Sequence, residues 1–416
     1  MADKACDGGR RMVLKGLAGA CVAVSLAGCG GSDDDDARVG TWGGALGDLK
    51  EVGAAFGPIA QSWTDKTVRQ VAHIAVGGDR VRIRFSNLYG SGPVAFQRVR
   101  LARSAGPGAI VVDTDTAVTF NGAPTVTIAP GQQVWSDAIA FPVAAGADLA
   151  VSIHVRETSD ATTVHLTSLA TQHVNDGDVT RAAALRTDAA SALISGYWMS
   201  AIDVERSQAT PVLVAFGDSI TDGFASTPDA NHRYPDFLAA RLRATPGREV
   251  SVVNAGLSGN RWLHDFLGLR GVERFKRDVL SVTGVTHTLV LLGINDIGMA
   301  ATSRPDQPVS AAELIAAIGG AVSAARAAGI KVCLGTLLPY KGADYYTEGG
   351  EAIRQAVNAW IRAGAGADAV VDFDAALRDP ADPLRLLPEA DCGDHLHPSD
   401  AGYQRMADTV PLNLLR

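Results

Sequence analysis

The chain has 416 residues, 47% of them hydrophobic and 20% charged, so it can bury a large core and reads as globular rather than disordered. Its 45 glycines and 18 prolines are spread along the length, as suits many tight turns between short elements, and the length itself points to two folded units. The formal charge is -8 with no Lys/Arg-rich stretch, which argues against nucleic acid as a partner and favours an uncharged or weakly charged substrate.

The first residues read as an address. Arg10 and Arg11 lead into Met12-Val13-Leu14-Lys15, similar to a twin-arginine export signal with Val where Phe is more usual. The apolar stretch from Gly16 to Gly28 is shorter than the about 20 residues a spanning helix needs, so it reads as the core of a signal peptide over residues 1–28. It ends in Leu26-Ala27-Gly28-Cys29, which resembles a bacterial lipobox. Cys29 would then be lipidated and anchor the exported protein to a membrane, facing the periplasm or cell exterior. The plainer alternative is a signal peptide with an incidental Cys29. Residues 29–40, with Gly30-Gly31-Ser32 and Asp33 to Asp36, read as a flexible acidic tether. Cys6 and Cys21 leave with the signal, so only Cys333 and Cys392 remain to be free thiols or to pair.

From about residue 41 to 207, apolar and polar residues alternate in short runs broken by Gly, Pro, Asn and Asp. Val81-Arg82-Ile83-Arg84-Phe85 puts three apolar residues on one face and two arginines on the other; Leu149 to Val155 and Tyr197 to Val204 read similarly. With turns at Asn121-Gly122 and Pro130-Gly131, the pattern predicts a β-sandwich or jelly-roll-like domain. Its His73, His154, His165 and His173 lack the close spacing of metal ligands and read as surface or core histidines.

Residues 208–416 change period. Val212 to Phe216, Val250 to Val253, Thr288 to Leu292, Val332 to Leu338 and Val370 to Phe373 are five candidate buried strands separated by helical spacings. The clearest helix start is the capping box Ser310-Ala-Ala-Glu313, with a stop at Gly329. This β-α alternation predicts a parallel sheet with helices on both faces, with ligands at the carboxyl edge of the strands.

Four turns on that edge carry candidate chemistry. After the first strand, Gly217-Asp218-Ser219-Ile220-Thr221-Asp222-Gly223 presents a serine where a nucleophile must sit, although Ser219 alone could as well cap the next helix. Gly256, at the end of the second strand, could aim a free N–H at substrate, or be an ordinary turn residue. After the third strand, the Asn295 amide could donate to the same point, as a developing oxyanion requires. Near the C-terminus, Gly393-Asp394-His395-Leu396-His397-Pro398 offers a base and its carboxylate. His397 stands three residues after Asp394; His395, the rival base, has Cys392 at that offset. A two-histidine metal site in this loop lacks a third ligand at a recognisable spacing.

These four blocks, in this order, resemble the SGNH/GDSL hydrolases over roughly half the chain, from Val212 onward. Ile220 replaces the leucine of the family's GDSL name. The resemblance implies a flavodoxin-like, doubly wound, five-stranded parallel sheet and a triad of Ser219, Asp394 and His397. It also implies an oxyanion hole of Ser219 and Gly256 N–H groups with the Asn295 amide, and no cofactor or metal. The expected activity is hydrolysis of acyl, aryl or acetylated-carbohydrate esters, small or polymeric. The alternative is a surface-anchored glycan-binding lipoprotein with an inert hydrolase-like half. The sequence leaves oligomeric state open.

Overall fold

The computed structural model describes residues 38–50 and 62–415. The expected signal peptide, Cys29 and most of the tether lie outside the described residues.

Up to Glu205, pairing is antiparallel. In chain order the main strands are β1 (Arg38–Gly43), β2 (Lys66–His73), β3 (Gly78–Ser86), β4 (Arg98–Arg103), β5 (Asp148–Val155), β6 (Thr163–His165), β7 (Gln172–Asp176) and β8 (Met199–Glu205). One sheet sets β1, β8 and β3 side by side; another sets β7, β2, β5 and β4. Alternation decides what each strand buries. Val81, Ile83 and Phe85 of β3 are 0% exposed, while Arg82 reaches Asp203 at 2.8 Å and Arg84 reaches Ser200 at 2.9 Å on the other face. Apolar side chains of both sheets join one hydrophobic cluster, in which Phe96 packs edge-on against Phe85 and Trp198. One boundary differs from expectation. The tether was to reach Gly40, but Arg38, Val39 and Gly40 belong to β1 and face Glu205, Val204 and Asp203 of β8, because a buried Val39 gains more from the core than from solvent.

From Val212 pairing is parallel. β9 (Val212–Gly217), β10 (Ser251–Gly256), β11 (Val285–Leu291), β12 (Lys331–Gly335) and β13 (Ala369–Val371) form one sheet in the order β10-β9-β11-β12-β13. This is the flavodoxin-like arrangement, whose switch point lies between the adjacent strands β9 and β11. The expected fourth strand ran on to Leu338, but pairing stops at Gly335. Leu337 instead donates to Asn358 Oδ1 at 2.8 Å, and its carbonyl accepts from Arg354 and Asn358 at 2.8 Å each.

The helices that matter here are α1 (Ser219–Asp222), α2 (Tyr234–Arg243), α3 (Ile294–Ala301), α4 (Ala311–Ala327), α5 (Glu348–Arg362) and α6 (Asp400–Thr409). The capping box opens α4: Ser310 N–H donates to Glu313 Oε2 at 2.9 Å and Ser310 Oγ accepts from Glu313 N–H at 3.3 Å. Leu314, Ile318, Ala321, Val322 and Ala325 recur at helical spacing and form its buried face. No described helix is long and apolar enough to cross a membrane.

The antiparallel and parallel parts belong to one compact unit. β1 lies against β10 so closely that a Cβ on Gly43 would sit 2.6 Å from Val253 Cγ1, and Ser251 Oγ donates to the Gly40 carbonyl at 2.6 Å. Gly320, by contrast, stands mid-helix in α4 with nothing within 4 Å of an added Cβ. Gly320→Ala is therefore expected to raise unfolding stability by about 0.5–1 kcal/mol in urea titration, and an unchanged midpoint would contradict the helix placement.

Candidate active site

β9 delivers Ser219 to the switch point. Asp218 caps α1, its carboxylate accepting from Ile220 N–H at 3.0 Å, so Ser219 takes the first helical position directly after the strand. The turn tolerates no side chain at Gly217, where a Cβ would meet Thr221 Oγ1 at 2.1 Å and the Leu291 carbonyl at 2.4 Å.

The loop before α6 brings the base to that serine. Ser219 Oγ lies 2.7 Å from His397 Nε2, and His397 Nδ1 lies 2.6 Å from Asp394 Oδ2. A carboxylate can only accept, so the ring proton sits on Nδ1 and leaves Nε2 to accept from the hydroxyl. Asp394 Oδ1 also accepts from the N–H groups of His397 and Leu396 at 2.8 and 2.9 Å. Burial opposes the charge on Asp394, but the imidazole and these N–H groups hold its carboxyl well below the usual carboxylate range. Ser219 and His397 are 6% and 8% exposed, and the Phe224 ring covers the imidazole at a centroid distance of 4.5 Å.

His395 does have a carboxylate, contrary to the spacing argument. Asp391, four residues earlier, holds its Nδ1 at 2.6 Å. His397 alone reaches Ser219, whereas His395, in left-handed backbone with φ 63°, lines a cleft of ≈ 380 Å³ beside Asp394 together with Asp344 and Tyr345. Two histidines bound to two different carboxylates do not form the two-histidine metal site. Among the described residues, Asp391, Cys392 and Asp394 are close enough to share an ion, but both carboxylates already hold an imidazole. Cys333 and Cys392 are free thiols, the first buried and the second exposed.

The expected oxyanion donors divide. The Ser219 N–H has no hydrogen-bond partner among the described residues. Asn295 is placed by α3, with Nδ2 donating one hydrogen to the Asn260 carbonyl at 3.1 Å and Oδ1 accepting from Tyr345 at 3.3 Å. That leaves the second Nδ2 hydrogen for a ligand. Gly256, expected as a donor to substrate, has its N–H engaged within the protein. Its N–H donates to Asn254 Oδ1 at 2.8 Å, and its missing side chain serves packing, since a Cβ there would lie 2.2 Å from the Asp222 backbone nitrogen. Gly259, three residues on, has an N–H without a partner among the described residues and a left-handed φ of 74°. It lies between Ser258, bonded to Asp222 of α1, and Asn260, bonded to Asn295. The repeated glycine in Gly256-Leu257-Ser258-Gly259 was the available signal; spacing alone does not say which N–H the strand leaves free.

Two further residues that sequence reasoning missed hold these turns in place. Arg274, fully buried, donates to the carbonyls of Gly217 at 2.6 Å and Ala255 at 2.9 Å and to Asn260 Oδ1 at 2.7 Å, which ties together the ends of β9 and β10 and the loop beyond. Asp296 accepts from the N–H groups of Trp262 and Leu263 at 2.8 and 3.0 Å and fastens that loop to α3.

Residues 215–405 match the model of the GDSL-like Lipase/Acylhydrolase family. No curated protein matches the chain. Solved structures resemble about half of the chain. A GDSL-like lipase from Bacteroides thetaiotaomicron is 21% identical with a TM-score of 0.38, covering 49% of this chain and 87% of its own. A variant of an acetyl xylan esterase from Geobacillus stearothermophilus is 23% identical with a TM-score of 0.37, covering 48% and 91%. A member of the lipolytic protein G-D-S-L family from Veillonella parvula is 18% identical with a TM-score of 0.35, covering 48% and 96%.

Two buried carboxyls near the nucleophile make stability pH-dependent. Burial pushes Asp218 up to about 7, with the charge of Asp296 adding to the effect, and burial likewise pushes Asp296 up to about 6. The folded chain thus holds the Asp218 proton more tightly than the unfolded chain, where the carboxyl titrates near 3.8. The stability this confers is complete below about pH 4 and is lost as pH rises through about 7. Asp218→Asn keeps a cap acceptor and removes the titration. Its melting temperature relative to wild type should climb across that window and level off above it; a pH-independent difference would contradict the assignment.

Proposed function

Starting from residues 215–405 as a domain of the GDSL-like lipase/acylhydrolase family, we propose that the chain is a serine esterase that hydrolyses carboxylic esters through an acyl intermediate on Ser219. The observation that carries this reading is the unbroken relay Ser219 Oγ, His397 Nε2, His397 Nδ1, Asp394 Oδ2, with links of 2.7 and 2.6 Å. As Ser219 Oγ attacks the carbonyl carbon, its proton passes to His397, and Asp394 stabilises the imidazolium that forms. The carbonyl oxygen becomes an oxyanion faced by the N–H groups of Ser219 and Gly259 and by Asn295 Nδ2. His397 then protonates the departing alcohol, and water repeats the sequence to release the acid and restore the hydroxyl.

Beside Asp394, a cleft is lined by Asp344, Tyr345 and His395, and Tyr345 also bonds the Asn295 amide. Those polar groups favour an ester of a hydroxylated alcohol, so an acetylated carbohydrate fits better than a long-chain lipid. We read the antiparallel part as a β-sandwich-like accessory module. The Leu26-Ala27-Gly28-Cys29 motif supports export and anchoring through lipidated Cys29.

With a nitrophenyl acetate ester, Ser219→Ala and His397→Ala should each lose at least about 10³-fold in kcat, and Asn295→Ala about 10²-fold or more. Turnover by Ser219→Ala at the wild-type rate would refute the reading. Cys29→Ser should move the expressed protein from the membrane pellet to the soluble fraction; unchanged sedimentation would remove the anchor.

A further inference from the structure

We propose that the antiparallel part supplies positioning residues for the ester-cleaving centre: His165 and Thr167 hold Asp222, and Asp222 holds the loop that carries the Gly259 donor. The inference rests on the acyl-serine reading above.

Asp222 ends α1, three residues after the nucleophile, and is 2% exposed. A carboxylate so deep needs partners for its charge and its lone pairs. Oδ1 lies 2.9 Å from Nε2 of His165, the last residue of β6. Oδ2 accepts from Thr167 Oγ1 at 2.6 Å, Ser258 Oγ at 2.7 Å and Ser258 N–H at 3.1 Å. Two of these partners come from the antiparallel part, roughly fifty residues before the nucleophile, and the third from the turn after β10.

The hydrogen bonds fix the charge state. His165 Nδ1 lies 2.7 Å from the Ala45 carbonyl, which can only accept, and Nε2 faces a carboxylate, which also accepts. Both ring nitrogens therefore carry protons, and the pair is a buried imidazolium and carboxylate. Burial opposes the charge on His165 and the Arg233 guanidinium adds to that opposition, yet Asp222 and the Ala45 carbonyl together raise its affinity for the proton. Asp222 is held below the usual carboxylate range by the same imidazolium, against its own burial.

What makes the pair more than a structural clasp is where Asp222 passes its hold. Ser258 immediately precedes Gly259, so one end of the donor turn is fastened to the helix that bears Ser219. The other end, the Asn260 carbonyl, is fastened to Asn295 Nδ2 at 3.1 Å. The direction of the Gly259 N–H is set between these two anchors. Remove the imidazolium or the Thr167 hydroxyl, and Asp222 must find a replacement donor, which shifts Ser258 and misaims the N–H. An oxyanion donor acts on the transition state and little on bound ester, so the loss should fall on kcat and spare KM.

The test uses the full chain with a nitrophenyl acetate ester, well below the melting temperature of each variant. His165→Gln can donate to only one of the two acceptors, Thr167→Val deletes the hydroxyl, and Thr167→Ser keeps it. We expect kcat to fall roughly 10- to 100-fold in His165→Gln and about 10-fold in Thr167→Val, with KM within about twofold and Thr167→Ser near wild type. Wild-type kcat in Thr167→Val, or an equal loss in Thr167→Val and Thr167→Ser, would overturn the proposal while leaving the acyl-serine reading intact. Lower melting temperatures with unchanged kcat would likewise reduce the contact to a structural one. Should His165→Gln not fold, the Thr167 pair still decides. Failure of the wild-type chain to hydrolyse the ester would overturn both.

Discussion

A 2.7 Å hydrogen bond between Ser219 Oγ and His397 Nε2 joins positions 178 residues apart, and much of the parallel half can be understood as what keeps that distance. A serine hydroxyl is a weak nucleophile, and a base helps only within hydrogen-bond reach. The sheet meets this demand through topology: right-handed crossovers bring the carboxyl ends of β9, β10 and β11 to one edge, so that the turns carrying Ser219, Gly259 and Asn295 all follow strands at that edge. The loop before α6 then has only to carry an imidazole over that edge.

Turns do not keep such geometry unaided, and the structure shows what stiffens them. Arg274 holds the ends of two strands and the Asn260 side chain through one planar guanidinium lying 4.0 Å above the Phe216 ring. Its charge is balanced nearby by Asp278, which burial would raise but which Arg277 and Arg274 draw down to about 2. Asp296 and Tyr345 act on the Asn295 side, the first by fastening the Trp262 loop and the second by fixing the amide. On the α1 side the corresponding anchor is Asp222, and its partners come from the other half of the chain. The antiparallel part is thereby packed into the site's support as well as onto β10.

The sequence was most legible where one residue type and one spacing admit few physical solutions. Buried parallel strands read as apolar runs, and the five expected strands are present within a few residues. Asp394 and His397 can pair across a tight turn, and they do. Legibility failed where the answer depends on which of several neighbours a group bonds. Gly256 and Gly259 look alike as letters, and the Asn254 side chain decides which N–H is occupied. His395 found a carboxylate at an offset of four instead of three. His165, unremarkable in an alternating strand, is paired through contacts with a segment far along the chain, and no local pattern announces that. Arg274 was equally silent, since its role lies in acceptors at the ends of two strands and in the loop beyond.

The central claim is that Ser219 is an activated nucleophile, and a covalent trap reads this directly. After incubation with a fluorophosphonate ester near neutral pH, the intact mass should rise by one phosphonyl group, and peptide mapping should place it on Ser219; a His397→Ala chain should label far more slowly. An unmodified wild-type chain, or a phosphonyl group on any other residue, would contradict the account.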